Sequence, residues 1–448
     1  MHNFQKEFKD KKITVMGLGL LGRGVGDAVF LAECGAKLVI TDLKTKEQLK
    51  ASLDKLKKFK GIKYTLGEHK LEDFRNADFI LKAAGVPLDS IYIKEAEKHG
   101  VPIEMSAALL VKLACLPVVG VTGTRGKSTV VYLINHILTS AHKKVILGGN
   151  VRGVSNLQLL KQVSKSDIIV LELDSWQLQG FGDSLVSPNI AVLTTFYDDH
   201  MGYYKGDIKN YFSDKAHVFK HQTEDDLLII GEQALPSIKK FAGKIKNNII
   251  IPKTTLPKGW KINLPGAHNE YNAMLAVEVA RTLGISDLQI KKALKTFAPV
   301  SGRLEFLRSV KGIKIYNDNN STTPEATIAA LQAVGDTSRR KIVLILGGDN
   351  KFLDMSALIK EIPKFCSKVI LFKEKGTDLI IDKIYALKKK GIEVYLEEGL
   401  KDTVHRAFSV AKKGETILYS PAFSSFGKYF KNEYDRGDQF IQIVKNLK

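Results

Sequence analysis

The stretch Leu116-Pro117-Val118-Val119-Gly120-Val121-Thr122-Gly123-Thr124-Arg125-Gly126-Lys127-Ser128-Thr129 decides how the rest of the chain is read. An apolar, β-branched run of strand length enters a glycine-rich turn, and the turn opens into a helical pattern from Ser128 to Thr139. That order builds a phosphate cradle. Glycines let backbone N–H groups approach phosphate oxygens, and the helix N-terminus adds the positive end of its dipole. Lys127 supplies a charge, and Ser128 offers a hydroxyl to magnesium. The strict G-x-x-x-x-G-K-[ST] spacing needs glycine at 121, where this chain has valine. A glycine turn without a ligand is the plainer alternative; strand, Gly-Lys-Ser and helix in sequence argue against it.

Outward from this point, short β-branched runs alternate with longer amphipathic stretches, the pattern of strands and helices around mostly parallel sheets. The alternation occurs in three blocks, with boundaries near 104 and 299, and predicts domains 1–104, 105–299 and 300–448. The first block opens with Lys12-Ile13-Thr14-Val15-Met16, then Gly17-Leu18-Gly19-Leu20-Leu21-Gly22, a helix to Cys34 and the strand Lys37 to Asp42. This is a dinucleotide fingerprint on paper: a turn able to host a diphosphate, and an acid at the end of the next strand. It leaves open which nucleotide binds. A nicotinamide dehydrogenase or a purely structural turn would fit it alone, but a second nucleotide signal downstream weakens the dehydrogenase reading.

The middle block adds Glu172 at the end of the run Asp167 to Glu172, then Asp198-Asp199-His200 after the run Asn189 to Thr194. Strand ends of open α/β sheets converge on the ligand crevice, so Glu172 and Ser128 are candidate magnesium ligands. His200 reads equally well as a satisfied polar residue or a metal or phosphate contact. Lys215, in a helical Ser213-Asp214-Lys215-Ala216-His217, reads as a surface lysine. The third block has strand patterns at 341–347, 368–372, 392–396 and 415–420.

Composition sets the frame. The 448 residues are 44% hydrophobic and 26% charged, an ordinary globular balance that excludes wholesale disorder. No run reaches the ~18 apolar residues of a membrane span. The opening Met-His-Asn-Phe-Gln-Lys-Glu has no apolar signal core, so a cytoplasmic location is expected. Cys34, Cys115 and Cys366 are too few and scattered for a disulfide framework and read as small core residues. The net charge of +20 favours polyanionic ligands. The lysines are spread over helix surfaces without arginine-aromatic interleaving, which argues against a nucleic-acid track.

Taken together, the motifs resemble the Mur ligase family along essentially the whole chain. The carriers are GLGLLGRG with Asp42, TGTRGKST, GGN at 148–150, LELDSWQL at 171–178, DDHMGYY at 198–204 and SDKAHVF at 213–219. They continue with PGAHNEYNAMLA at 265–276, SGRLEF at 301–306, YNDNNSTTPEA at 316–326, LGGDNK at 346–351 and SPAFSSFGKYFKNEYDRGDQF at 420–440. The resemblance implies an α/β fold of three domains: a Rossmann-like first domain, a central P-loop-type ATPase with a mostly parallel sheet, and a Rossmann-like C-terminal domain. It implies an ATP-dependent amide ligase that joins glutamate, in its D form, to UDP-N-acetylmuramoyl-L-alanine through an acyl phosphate. A sister enzyme adding L-glutamate and a folylpolyglutamate synthetase-like ligase are the alternatives; Asp42 with the first glycine turn favours a UDP-linked substrate over folate.

By the same resemblance Gly19, Leu20, Leu21, Asp42, Asn150 and Ser175 would hold the UDP substrate. Gly123, Thr124, Arg125, Gly126, Lys127, Ser128 and Thr129 would hold ATP, joined by Asn269, Asn272, Arg303 and Asp318, and His268 would contact ATP or substrate. Lys127, His200 and Lys215 would be catalytic, and Ser128, Glu172, His200 and Lys215 would hold magnesium, two ions in all, Lys215 as a carbamate derived from CO2. Thr322, Lys351 and Ser425 would face the amino acid. The chain departs from the family pattern at three places. The usual NDSKATN reads Asn317-Asp318-Asn319-Asn320-Ser321-Thr322-Thr323, with Asn320 for lysine; Asp174 replaces serine, and Glu433 an aromatic residue. A monomer without nucleic-acid or membrane partners is expected.

Overall fold

The computed structural model describes residues 4–20, 22–243, 245, 248–425 and 427–448. Three sheets organise them. The first contains β1 (Lys12–Met16), β2 (Lys37–Asp42), β3 (Lys63–Leu66), β4 (Phe79–Lys82) and β5 (Ile103–Glu104), in the order β3-β2-β1-β4-β5. All its pairings are parallel. The second contains β6 (Val118–Thr122), β7 (Val145–Gly149), β8 (Ile168–Glu172), β9 (Ile190–Leu193), β10 (Leu227–Ile230) and β11 (Asn248–Ile250), in the order β11-β10-β9-β6-β8-β7. It too is wholly parallel.

Both orders place a glycine turn where ligands collect. From β1 the chain leaves to β2 on one side and returns to β4 on the other; from β6 it goes to β7 and β8 on one side and to β9 on the other. At such a reversal the helices on either side diverge beyond the strand ends and leave a crevice. Gly17–Gly22 follows β1 and Gly123–Gly126 follows β6, so each motif lies at the reversal of its own sheet.

The third sheet contains β12 (Glu305–Val310), β13 (Ile313–Asn317), β14 (Ile342–Leu346), β15 (Cys366–Phe372), β16 (Glu393–Glu397) and β17 (Thr416–Tyr419), in the order β12-β13-β17-β14-β15-β16. Only β12 and β13 are antiparallel, joined by a turn in which Lys311 and Gly312 both have positive φ, 50° and 77°. The apolar run of β14 serves both faces: Ile342, Leu344 and Leu346 enter one core, Val343 and Ile345 the other. A parallel strand covered by helices on both sides must be apolar throughout, which is why this run shows no alternation in sequence.

The described residues form two compact units, 1–254 with 272–293 and 255–271 with 294–448. The first unit carries the first two sheets on one shared core, in which Ile13 and Val15 join Leu110, Ile169 and Leu171. Its polar seam is equally specific. Asp27, on the helix Arg23–Glu33, is 4% exposed; its Oδ1 accepts from the Ser155 hydroxyl (2.6 Å) and the Leu157 amide (3.0 Å). A Cβ on Gly26 would lie 2.4 Å from the Ser155 Cβ, so the helix rests directly on this segment.

No helix among the described residues is long and apolar enough to cross a membrane. Cys34 and Cys366 are buried as expected, but Cys115 corrects the core assignment: it is exposed and ends the helix Ser106–Ala114 in the left-handed region, φ 51°.

Burial pushes the Asp27 carboxyl up from its ordinary 3.8 to about 6. The folded chain therefore keeps that proton over a range where the unfolded chain has released it. The stabilisation is complete below the unfolded value and is lost as pH rises through the folded one. Asp27→Asn keeps an oxygen acceptor and removes the titration. In thermal melts its stability relative to the native chain should rise by on the order of 1 kcal/mol between about pH 5 and about pH 7.5. A flat difference would contradict the burial of this carboxyl.

Candidate active site

The phosphate turn is shaped by what surrounds it. Gly123 has φ 143°, and a Cβ there would lie 2.0 Å from Thr194 Oγ1; Gly126 has φ 89°, and its Cβ would lie 2.4 Å from Asn272 Oδ1. Gly126 immediately precedes the helix Lys127–Ser140, so the amides of this first turn face the crevice. Thr194 and Thr195, just past β9, brace the turn: the Thr194 hydroxyl donates to the Arg125 carbonyl (2.5 Å), and Thr195 Oγ1 accepts the Arg125 amide (2.8 Å).

Two lysines converge on one carbonyl. Lys127 Nζ donates to Gly123 O at 2.9 Å and to Thr124 O at 3.3 Å; Lys215 Nζ donates to the same Gly123 O at 3.0 Å. Lys215 is 2% exposed and lies 4.8 Å from the centroid of the Tyr211 ring, one turn earlier on the helix Ile208–Ala216. Burial, aided by the neighbouring Lys127, holds its ammonium well below the usual lysine range. The surface reading of Lys215 is thus corrected.

Other candidates of the first unit lie on the strand ends and helices that follow this turn in the chain. Arg125 Nη1 pairs with Asp199 Oδ2 at 3.1 Å, and the His200 ring packs 4.7 Å from that of Trp176 and 6.3 Å from that of Tyr211. Tyr211 Oη lies 3.3 Å from Thr124 Oγ1. Thr129 is buried one residue past Ser128 on the helix, and Glu172, 5% exposed, ends β8 in register with Val121. The Asn150 amide donates to the Glu172 carbonyl at 2.7 Å, which sets Asn150 at the same edge. Ser175 is buried at the start of the helix Ser175–Asp183. That helix explains Asp174: its Oδ1 accepts the Gln177 amide (2.8 Å), and Gln177 Oε1 accepts the Asp174 amide (3.4 Å), a capping box that carboxylate serves as well as hydroxyl.

Donor chemistry decides whether magnesium fits. Among the described residues no cluster of three or more His, Cys, Asp or Glu is placed to hold a metal. Magnesium asks for less, one or two protein oxygens completed by phosphate and water. The Glu172 carboxylate and the Ser128 hydroxyl suit it, as does the Thr122 hydroxyl at the end of β6, which is buried without a hydrogen-bond partner among the described residues. Lys215 as an amine does not; as a carbamate it would.

At the first glycine turn, Asp42 is 3% exposed and holds the turn itself: Oδ2 accepts the Gly19 amide (3.0 Å) and Oδ1 the Lys44 amide (2.9 Å). Leu20 is exposed beside it, and Leu21 lies outside the described residues.

The second unit carries Asp318, Thr322, Lys351 and Ser425 past the C-terminal ends of β13, β14 and β17. Asp318, just past β13, accepts from Leu304 N (2.9 Å), from the Ser420 hydroxyl (2.8 Å) and from the Ser321 hydroxyl. Burial raises its carboxyl to about 6, and nearby Arg303 opposes the rise. Lys351 Nζ reaches Thr322 Oγ1 at 3.2 Å, and Asp349 bridges Ser424, so Ser425 lies on the segment paired with the Lys351 loop. Asn269 Nδ2 donates to Pro265 O at 2.7 Å, and burial lowers the His268 imidazole. Sequence reading missed Arg436, 1% exposed on the helix Glu433–Lys445: it donates to Asn319 Oδ1 and O (both 2.8 Å) and to the carbonyls of Phe423 and Ser424 (both 3.1 Å). The departures have partners here too. Asn320 Nδ2 donates to Ser301 O (3.3 Å), and the Glu433 carbonyl accepts from Asn319 Nδ2 (2.7 Å).

A parallel α/β sheet with a lysine-bearing glycine turn at its reversal, acidic residues at the neighbouring strand ends, and two flanking α/β domains define a nucleotide-binding protein of the phosphoryl-transfer class. Family comparison narrows this. The model for the MurD-like N-terminal domain of Mur ligases matches residues 11–104, that for the Mur ligase middle domain 121–255, and that for the Mur ligase glutamate ligase domain 302–423. A UDP-N-acetylmuramoylalanine--D-glutamate ligase of Borreliella burgdorferi is 36% identical over 98% of this chain and 99% of its own length; its namesake from Roseiflexus sp. is 32% identical over 98% and 99%. The chain belongs to the Mur ligase family. In fold it is similar to the UDP-N-acetylmuramate-alanine ligase MurC of Thermotoga maritima, with TM-score 0.63, 19% identity, and coverage of 98% of this chain and 100% of that one. It is also similar to a Mycobacterium tuberculosis folylpolyglutamate synthase, with TM-score 0.57, 15% identity, and coverage of 77% and 95%.

Gly126→Ala tests the turn: a Cβ in the left-handed region, directed at Asn272, should weaken ATP binding about tenfold or more and cost about 1 kcal/mol or more of stability. Calorimetric titration with ATP checks it, and unchanged affinity would remove the turn from the phosphate site.

Proposed function

We propose that this chain is an ATP-dependent amide ligase that adds D-glutamate to UDP-N-acetylmuramoyl-L-alanine in peptidoglycan precursor synthesis, acting in the cytoplasm as a monomer. The observation that carries the reading is the meeting of Lys127 and Lys215 at the Gly123 carbonyl, on a turn placed at the sheet reversal. The name shared by relatives matching the chain end to end supplies the substrates. In this reading residues 1–104 hold the UDP end, 105–299 the ATP, and 300–448 the amino acid.

The reaction needs positioning and charge neutralisation more than covalent help from the protein. A carboxylate oxygen of the UDP substrate attacks the γ-phosphorus, forming the acyl–O–P bond as the bond to ADP breaks. The glutamate amine then attacks the acyl carbon, the amide forms, phosphate leaves and the amine proton is released. Turn amides and Lys127 take up the charge that spreads over the transferring phosphoryl oxygens. Magnesium, held by Ser128, Glu172, His200 and a carbamate on Lys215, would neutralise the phosphates. Lys215 suits that modification because a buried amine with a depressed ammonium range offers its lone pair to CO2, forming the C–N bond and releasing a proton. Arg303 and Asp318 would complete the ATP contacts, and Thr322, Lys351 and Ser425 would receive the glutamate. Asp174, Asn320 and Glu433 each have a partner within the protein, through side chain or backbone, so the departures are compatible with the same chemistry.

Phosphate release from ATP with UDP-N-acetylmuramoyl-L-alanine should require D-glutamate and yield the ligated product by mass. Release with L-glutamate would move the chain to a sister specificity, and silence in every arm would overturn the reading. Lys127→Ala should abolish turnover while leaving UDP-substrate affinity within about twofold, because the deleted charge serves the triphosphate. Retained turnover would reject the assignment of the turn.

A further inference from the structure

The first glycine turn carries a cation that none of the assignments above uses. Arg23 follows Gly22 and opens the helix Arg23–Glu33, and the other residues from Gly17 to Gly24 are uncharged. The half-buried side chain leaves its own domain: Nη1 donates to Asn150 Oδ1 at 2.5 Å, at the end of β7 in the central domain. Its Nε is buried without a hydrogen-bond partner among the described residues.

This contact determines what Asn150 can do. A guanidinium only donates, so the carboxamide must present its oxygen to Arg23, and its NH2 is left as the group available to a ligand. The Asn150 backbone is fixed independently by its bond to the Glu172 carbonyl. The Arg23 backbone is fixed by the turn that follows: Gly26 O accepts from Gln158 Nε2 at 3.1 Å, and Asp27 clasps Ser155 and Leu157. Both ends of the pair are therefore held before any ligand arrives, and orientation is not left to be gained on binding. An oriented NH2 and an adjacent cation together suit an oxygen-rich anion.

We propose that Arg23 is a positioning residue for the nucleotide-linked substrate. It holds Asn150 as a donor toward an anionic oxygen of the diphosphate, and so links the first glycine turn to the strand edge that carries Glu172. The proposal rests on reading the first domain as the UDP-substrate site.

The test measures Kd for UDP-N-acetylmuramoyl-L-alanine and for UDP alone by calorimetry, and KM for UDP substrate and ATP, in the native chain, Arg23→Met, Asn150→Ala and the double variant. Loss of a charge-assisted hydrogen bond should raise Kd and KM for the UDP substrate about tenfold in Arg23→Met, with KM for ATP within about twofold. The double variant should be no weaker than Asn150→Ala alone, since the arginine acts through the asparagine. Arg23→Lys, which keeps charge and donor but not the fork, should recover part of the loss and serves if the methionine variant folds poorly. Unchanged UDP-substrate affinity in a folded Arg23→Met, fully additive losses, or a loss spread equally over ATP would overturn the role of Arg23. A native chain that binds neither UDP ligand would overturn the underlying substrate reading instead.

Discussion

Everything in the central domain answers to one constraint: positive charge is concentrated on a turn whose own exposed dipoles are also positive. The Gly123 carbonyl takes two lysine donors, and one of them, Lys215, is almost wholly withdrawn from water. Burying an ammonium is expensive unless hydrogen bonds or a counter-charge compensate. Here the compensation is a carbonyl, an aromatic face and Asp199 and Asp174 at longer range. Such a turn is electrostatically incomplete by itself. A triphosphate, and a carboxylate-like group in place of the Lys215 ammonium, would each complete it.

That demand explains the architecture around the turn. An unbraced glycine loop would spread its cations apart, so Thr194 and Thr195 bind it from β9 and Asn272 closes on Gly126. These braces lie at strand and helix ends, and so the rigidity of the sheet passes to the loop. The same logic holds where the first two sheets meet. Their common core and the buried Asp27 hold the helix that follows the first glycine turn against the segment that follows β7. Asp27 illustrates the cost, since its carboxyl is held in a setting that favours the neutral form.

Much of this was legible in the residues. Both glycine turns follow strands and precede helices as their spacing required, and Glu172 ends its strand as the apolar run ending in an acid suggested. The NDNNSTT segment and Lys351 follow β13 and β14, two strands of one sheet. Other features were hidden for physical reasons. Lys215 looked like surface because its burial depends on the distant Gly123, which the sequence around it does not reveal. The β12–β13 hairpin was missed because β12 is an edge strand with a partly exposed, charged pattern. Arg436 sits in a stretch rich in charge, and only the fold reveals that its guanidinium is consumed by carbonyls of Asn319, Phe423 and Ser424. Asp174, by contrast, could have been read as a helix cap from the D-x-x-Q spacing alone.

The central claim is chemical: the substrate carboxylate becomes an acyl phosphate before the amide forms. Label transfer tests it most directly. UDP-N-acetylmuramoyl-L-alanine carrying 18O in its terminal carboxylate is turned over with ATP and D-glutamate, and the phosphate released is analysed by mass. The account predicts one carboxylate-derived 18O in the phosphate for each amide made. Amide formation with unlabelled phosphate would contradict it, because carboxylate oxygen would then have left by a route that never joined it to phosphorus.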